Sequence, residues 1–198
     1  MSFRIEEKIL IGKNEIKKFK KIYQKKFLKK LYQSRIIRSL YFENSNNDIY
    51  KDSVEGTLPR KKIRVRNYPE EKKNTFYLEK KISSVEGRFK QKEKINNLSF
   101  NKITKYGFYD DNYGYCKPLI YVEYNRNYYI LGETRLTHDS NIKYYLYQRK
   151  MVKYDENEIF EIKTNFNTDL DELHSTFPMN RTRFSKYCNG FEKFFKQI

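Results

Sequence analysis

The sequence predicts an α+β fold: an antiparallel β-barrel of eight or nine strands with helices at both ends. Three observations predict it. First, Arg64-Val65-Arg66, Glu79-Lys80-Lys81, Lys90-Gln91-Lys92, Arg135-Leu136-Thr137-His138-Asp139 and Glu161-Ile162-Lys163 all space polar groups by two. Residues two apart on a strand point the same way. Second, in four of these five runs the opposite face carries apolar groups such as Ile63, Val65, Phe76, Leu78, Phe89, Leu136, Phe160 and Ile162. Third, the strand patterns follow one another without alternating helices, which favours antiparallel over parallel pairing. One charged face is an ordinary solvated edge. Five or six in one domain describe a sheet whose charged faces converge.

The elements follow in order. Residues 3–11 alternate, with Phe3, Ile5, Ile9 and Ile11 on one side and Arg4, Glu6, Lys8 and Leu10 on the other, which predicts a strand. Gly12 and Asn14 open a helix, with Asn14 as its cap. Ile16, Phe19, Ile22 or Tyr23, and Phe27 carry helical spacing to about Tyr32. The lysines of that helix form a solvated face. Residues 38–42 read as a strand, 43–48 as a turn and 52–59 as a second loop. Strands follow at 60–68, 75–83 and 87–95, with Gly87 marking a hairpin. Residues 101–117 are irregular. Further strands fall near 119–131, 133–139, 143–153 and 158–164, and 165–182 is a loop or short helix. From Phe184, the spacing of Tyr187, Cys188, Phe191, Phe194 and Phe195 predicts an amphipathic C-terminal helix. There is no internal repeat and no low-complexity linker, so residues 1–198 read as one domain.

Composition bounds the function. Only 38% of the chain is hydrophobic, but 19 Tyr and 15 Phe exclude disorder. A net charge of +17 calls for an anionic partner. Nucleic acid is not the expected one, because the charges alternate inward instead of forming an exposed stripe. The two cysteines, Cys116 and Cys188, have neither zinc-type spacing nor a disulfide framework. No apolar stretch approaches a membrane span, and residues 1–8 lack a signal-peptide core. A cytoplasmic protein is expected, reaching a membrane only through a partner.

Inward charge is costly. Two like charges about 4 Å apart repel by roughly 4 kcal/mol at an intermediate dielectric. A cavity rich in Lys and Arg therefore requires water and a polyanion. Arg supplies forked donors for phosphate oxygens, Lys supplies point charge, and Glu can hold a divalent ion that bridges phosphates. His138 and His174 read as structural or surface residues, and Asp139 as the group that orients Arg135 or another inward cation. The Tyr pairs Tyr128-Tyr129 and Tyr144-Tyr145 read as packing.

Eight blocks then carry a resemblance. They are Arg4-Ile5-Glu6-Glu7-Lys8; Arg38-Ser39-Leu40-Tyr41-Phe42-Glu43; Lys62-Ile63-Arg64-Val65-Arg66-Asn67-Tyr68; Leu78-Glu79-Lys80-Lys81; Tyr121-Val122-Glu123-Tyr124-Asn125-Arg126; Arg135-Leu136-Thr137-His138-Asp139; Phe160-Glu161-Ile162-Lys163; and Phe184-Ser185-Lys186-Tyr187. In this order they resemble the VTC domain, the polyphosphate polymerase domain of the vacuolar transporter chaperone complex, one of the triphosphate tunnel metalloenzymes. The resemblance implies an eight-stranded antiparallel tunnel closed by the C-terminal helix. It implies that Lys8, Arg64, Arg66, Lys81, Lys90 and Arg126, with Tyr124, bind nucleotide triphosphate and the growing chain. Ser185 and Lys186 match phosphate contacts at the start of the last helix, where helix N-termini favour anions. Lys8, Arg64, Arg66 and Lys186 are the catalytic candidates, and Arg38, Lys92, Arg135 and Lys163 are further substrate contacts. Glu161 matches the glutamate that holds Mn2+ (or Mg2+); its alternative is a salt bridge to Lys163 or Arg66. Glu6 and Glu79 are either metal ligands or ion-pair partners. Lys80 departs from the family, which has an apolar residue there. The implied reaction moves the ATP γ-phosphate onto polyphosphate. Triphosphate hydrolysis and non-catalytic polyphosphate binding are the alternatives.

Overall fold

The period-two pattern gives ten strands, accompanied by four helices whose ends are both described, in a computed structural model that describes residues 4–12, 14–17, 21, 28–71, 75–165 and 167–196. The strands are β1 (Arg4–Ile11), β2 (Lys29–Asn44), β3 (Arg60–Asn67), β4 (Phe76–Ser84), β5 (Gly87–Ile95), β6 (Phe108–Asp110), β7 (Gly114–Leu131), β8 (Thr134–Leu146), β9 (Val152–Tyr154) and β10 (Glu158–Asn165). The helices are α1 (Asp48–Glu55), α2 (Asn97–Tyr106), α3 (Leu170–Thr176) and α4 (Lys186–Phe195). The strands form one sheet in the order β1-β10-β8-β7-β2-β3-β4-β5, with β6 on β7 and β9 on β8. Eight strands lie on that path, as the sequence implied. The path ends at β1 and at β5, whereas a closed barrel has no ends. Among the described residues, no helix is long and apolar enough to cross a membrane.

The chain packs as two compact units. The first comprises Met1–Arg35, Tyr124–Ile142 and Tyr154–Phe184; the second comprises Ile36–Glu123, Lys143–Lys153 and Ser185–Ile198. In the first unit, β10 lies between β1 and β8, and Ile9↔Phe160↔His138 and Glu7↔Ile162↔Leu136 are opposed across the ladder. Directly opposed residues share a face. Ile9, Ile11, Leu136, Phe160 and Ile162 form a core with Leu173 of α3 and Phe177. The segment that leads to α4 is pinned to β1: Thr182 N donates to Lys8 O at 2.8 Å, and Arg181 Nε donates to Glu7 at 2.8 Å.

In the second unit, Ile63 and Val65 of β3 are buried on one face, which fixes the other face for Arg64 and Arg66. α1 has no side-chain cap of its own at Asn47. Glu43, at the end of β2, supplies it by accepting from Ile49 N at 3.0 Å and Tyr50 N at 2.8 Å. The same carboxylate accepts the Tyr187 hydroxyl of α4. α4 is further held by Tyr187 on Tyr41 (ring centroids 5.1 Å apart) and Phe191 on Tyr50 (4.0 Å).

Several boundaries differ from the sequence reading. The helix expected to Tyr32 falls largely outside the described residues, and its far end is the start of β2. Residues 52–55, read as loop, end α1, because the cap comes from Glu43 and not from an adjacent residue. Residues 101–106, read as irregular, belong to α2, which Asn96 caps through Ser99 N. The strands expected at 133–139 and 143–153 are one strand to Leu146, since Asn141 takes a φ of 52° within β8 without ending it. Asn tolerates that left-handed conformation better than other non-glycine residues.

Gly190 sets how closely α4 seats. A Cβ there would lie 2.6 Å from Tyr144 Cδ1 and 3.0 Å from Ile120 Cδ1. Both residues are fully buried and cannot yield cheaply. Gly190→Val is expected to destabilise the protein by about 1–3 kcal/mol. A lower urea midpoint at unchanged m-value checks it; an unchanged midpoint would mean that α4 does not seat on these side chains.

Candidate functional site

The second unit builds one cationic face on β2 to β5. Register aligns Tyr41↔Arg64↔Glu79↔Lys92, Ser39↔Arg66↔Tyr77↔Lys94 and Lys62↔Lys81↔Lys90. On β3, β4 and β5 this face sets Lys62, Arg64, Arg66, Lys81, Lys90, Lys92 and Lys94 against a single carboxylate, Glu79. Arg64 and Arg66 are only 6% and 8% exposed, and Glu79 only 1%. The lysines of β5 are exposed. Charge thus runs from solvated ammoniums to buried guanidiniums.

Glu79 is saturated by cations. Arg64 donates to Glu79 Oε2 from Nε at 2.8 Å and from Nη2 at 2.6 Å, and Lys90 Nζ lies 2.6 Å from Oε1. Burial by itself pushes the Glu79 carboxyl up; Arg64, Arg66 and Lys90 outweigh it and hold it down to about 2. Arg64 Nη1 also donates to the Tyr41 hydroxyl at 2.9 Å. Burial raises that phenol, but Arg64, Arg66 and Lys62 bring it below its ordinary value. Arg66 Nε donates to Ser39 Oγ at 3.1 Å. Lys62 Nζ donates to Ser185 Oγ at 3.0 Å, the same oxygen that caps α4 through Cys188 N. The N-terminus of α4, with Lys186 as its first residue, is thereby joined to β3.

The first unit builds a second charged face. Register aligns Lys8↔Glu161↔Thr137 and Glu6↔Lys163↔Arg135 across β1, β10 and β8. Lys163 Nζ lies 2.7 Å from Glu161 and 3.8 Å from Glu6, and Lys8 Nζ lies 3.7 Å from Glu6. Lys8 Nζ also donates to Phe184 O at 2.9 Å. Burial works to raise the Glu161 carboxyl, but Lys163, Arg126 and Lys8 hold it well below the usual carboxylate range. Arg126 grips Asp139 with two bonds, at 2.5 and 2.6 Å, and lies 5.2 Å from the centre of the Tyr124 ring. An open depression of about 180 Å³ is lined by Glu133, Arg135, Lys163, Thr164 and Asn165.

The predicted residues therefore separate into two groups. Arg64, Arg66, Lys81, Lys90 and Lys92 share the face in the second unit, with Ser185 beside Lys62. Glu6, Lys8, Arg135, Glu161 and Lys163 share the face in the first, with Arg126 held to Asp139 and Tyr124 under Arg126. Arg38 is not brought to either. It opposes Asn67, so it points to the face away from Arg64 and Arg66, and it pairs with Glu123 at 2.7 Å. Glu79, read as a metal ligand or an ion-pair partner, lies against Arg64 and Lys90. Lys80, the family departure, turns away from the site to pair with Asp110 at 2.9 Å. His138, on the core face, bonds Glu158 at 2.5 Å.

Sequence reading passed over Ser39, Tyr41, Lys62, Lys94 and Thr137. The signal was present: each is two or four residues from a nominated neighbour or set opposite one. What was missing was register, which decides which face of β2 meets Arg64.

The metal test turns on donor chemistry. Among the described residues no group of three or more His, Cys, Asp and Glu could hold a metal alone. Glu161 is ionised and shares a face with Glu6. One or two carboxylates completed by phosphate oxygens and water is how Mg2+-type sites are commonly built. Glu161 with Glu6 fits that type once Lys163, 2.7 Å from Glu161 Oε1, gives way to the ion; Glu79 is held on one oxygen by Arg64 and on the other by Lys90 and fits less well.

The sequence matches the VTC domain family over residues 3–195. The chain belongs to the VTC domain family. No curated protein matches it. Among solved structures, this VTC domain is similar to a candidate adenylate cyclase from Bacillus halodurans (TM-score 0.64, 13% identity, 98% of each chain covered). It is also similar to the PH1819 protein from Pyrococcus horikoshii (TM-score 0.58, 16% identity, 96% of this chain and 99% of that one). A third is a candidate adenylyl cyclase from Hippeastrum whose dominant activity is triphosphatase (TM-score 0.58, 12% identity, 98% of this chain and 96% of that one). These likenesses show that the VTC domain shares its fold with those proteins.

Glu79 gives a pH prediction. Its folded pKa is depressed, so its stabilisation is present above the unfolded carboxylate value and is lost as pH falls from about 4.5 toward about 2. Glu79→Gln leaves Arg64 without its buried anion and is expected to cost about 3–5 kcal/mol at pH 7. It should also flatten the acid limb of stability between about pH 4.5 and 2. Melting temperatures across that range check both; an unaltered acid limb would remove Glu79 as the compensating charge.

Proposed function

We propose that this protein is a polyphosphate polymerase-like phosphotransferase that binds ATP, triphosphate or polyphosphate and transfers the γ-phosphoryl group of ATP to a polyphosphate chain. A terminal oxygen of the chain attacks the γ-phosphorus, the bond from that phosphorus to the β-bridging oxygen breaks, and ADP leaves. The observation that carries this reading is the excess of cations on β3 to β5, with two buried arginines, against Glu79 alone. Membership of the VTC domain family supports it.

Phosphoryl transfer needs positioning and charge stabilisation more than a protein nucleophile. Arg64 and Arg66, partly fixed by Glu79, Tyr41 and Ser39, offer forked donors whose geometry is set before an anion arrives. Lys62, Lys81, Lys90 and Lys92 add point charge along the phosphates. The first unit has its own cationic face of Lys8, Arg126, Arg135 and Lys163, and in the second Lys186 with Ser185 contributes the start of α4. Glu161 with Glu6 would hold a divalent ion, Mn2+ or Mg2+, which supplies charge neutralisation at phosphate oxygens. ATP as donor fits the cytoplasmic location expected from the sequence. A second reading, hydrolysis of triphosphate with water as acceptor, is favoured by the triphosphatase activity of the Hippeastrum protein of the same fold.

Incubation with ATP and Mn2+, with products resolved on a polyphosphate gel and ADP and phosphate followed, tests the choice. A polyphosphate ladder with ADP is expected; ADP and phosphate without a ladder would replace the polymerase by the hydrolase. Tripolyphosphate at about 100 times its dissociation constant should add roughly 2.7 kcal/mol of stability, read as several degrees in melting temperature. No shift would overturn the phosphate site. Glu161→Gln is expected to reduce divalent-dependent turnover by about 100-fold or more while tripolyphosphate still binds in EDTA. Retained turnover would remove Glu161 from the metal site.

A further inference from the structure

Thr137 lies in the middle of the first unit's charged face, yet no part of the function so far uses it. Register sets it opposite Glu161, which is opposite Lys8. Its neighbours on the same face of β8 are Arg135 and Asp139, and Asp139 holds Arg126. Its hydroxyl oxygen is shielded from solvent and has no hydrogen-bond partner among the described residues. Native proteins rarely leave such a group unmatched, since a buried polar atom without a partner is costly. Valine has nearly the same shape and suits a strand equally well, so packing alone gives no reason for a hydroxyl here.

We propose that Thr137 is a ligand-contact residue whose hydroxyl donates a hydrogen bond to a phosphate oxygen of the bound polyanion. This inference rests on the triphosphate reading. Lys8, Arg126, Arg135 and Lys163 draw a phosphate to this face, and the Thr137 hydroxyl is the neutral donor set among them. The contact is directional, whereas the surrounding ammoniums attract an anion from many angles. Thr137 therefore helps choose the orientation in which a phosphate is held, while the cations supply most of the attraction.

Titration calorimetry with tripolyphosphate in EDTA, on the full chain, tests this with Thr137→Val and Thr137→Ser. Thr137→Val is expected to weaken binding by about tenfold to a hundredfold, the size of one hydrogen bond to a charged acceptor. Thr137→Ser, which keeps the hydroxyl, should stay within about twofold of the wild type. The melting temperature of ligand-free Thr137→Val should be unchanged or higher, because the variant loses an unmatched buried group. Equal binding by wild type and Thr137→Val would overturn the contact. So would a ligand-free melting temperature several degrees lower, which would assign the hydroxyl to the fold. If the wild type binds no tripolyphosphate, the triphosphate reading falls together with this inference. If the wild type binds and only the valine variant is indifferent, this inference alone falls.

Discussion

A guanidinium taken out of water must find an anion, and this requirement governs both charged faces. Moving an ion into a protein interior costs several kcal/mol even after relaxation, and mutual attraction offsets that cost only when the geometry is good. Arg64 meets Glu79 through two donors, and Arg126 meets Asp139 through two donors. Each pair is nearly withdrawn from solvent. On the strand face itself, Glu79 answers Arg64 and Lys90, and Arg66, Lys62, Lys81, Lys92 and Lys94 share that face with it. A folded chain can hold this arrangement because β5 keeps its lysines in water, yet the net potential favours an anion with several charges.

The second constraint is the pleat. A one-residue slip would move the charged side chains of a strand to the face that Ile63, Val65, Leu78, Leu136, Phe160 and Ile162 occupy. Ile63, Val65, Leu136, Phe160 and Ile162 prevent it, because burying them leaves only one register for their charged neighbours. α4 depends on the same strands. Tyr187 lies on Tyr41 and reaches Glu43, while Ser185 takes the ammonium of Lys62. Glu43 is pushed up by burial against four hydrogen bonds that favour its charged form. It therefore serves as a structural acceptor that joins α1 and α4 to the end of β2, and Arg64 rests on the Tyr41 that this packing holds.

Much of this was legible in the chain. Strands β3, β4, β5 and β10 fall within a residue or so of where alternation placed them. Helix α4 begins at Lys186, within two residues of Phe184, where the aromatic spacing starts. Local signals misled where a distant group overruled them. The sequence reading ended one strand at Asp139 and began the next at Lys143, but β8 runs unbroken from Thr134 to Leu146. The segment 52–55 looks like loop because its helix borrows a cap from β2. Arg38 belongs to a strand that also carries Ser39 and Tyr41 to the site, yet it stands on the other side. Nothing in its own neighbourhood says which face will meet β3.

The sequence by itself determined the charge excess, the alternation that separates charged from apolar groups, and the family to which the chain belongs. These are properties of residue order, and they survive without coordinates because the two-residue period of a strand is fixed by covalent geometry. The tertiary structure decided which carboxylates are already taken, which strand faces meet, and which polar atoms are left over. Glu79 pairs with Lys90, Glu161 lies beside Lys163, and among the described residues the Thr137 hydroxyl has no hydrogen-bond partner. Those outcomes depend on register between strands far apart in the chain. Register is set by the burial of whole faces at once, so no local stretch of sequence contains it.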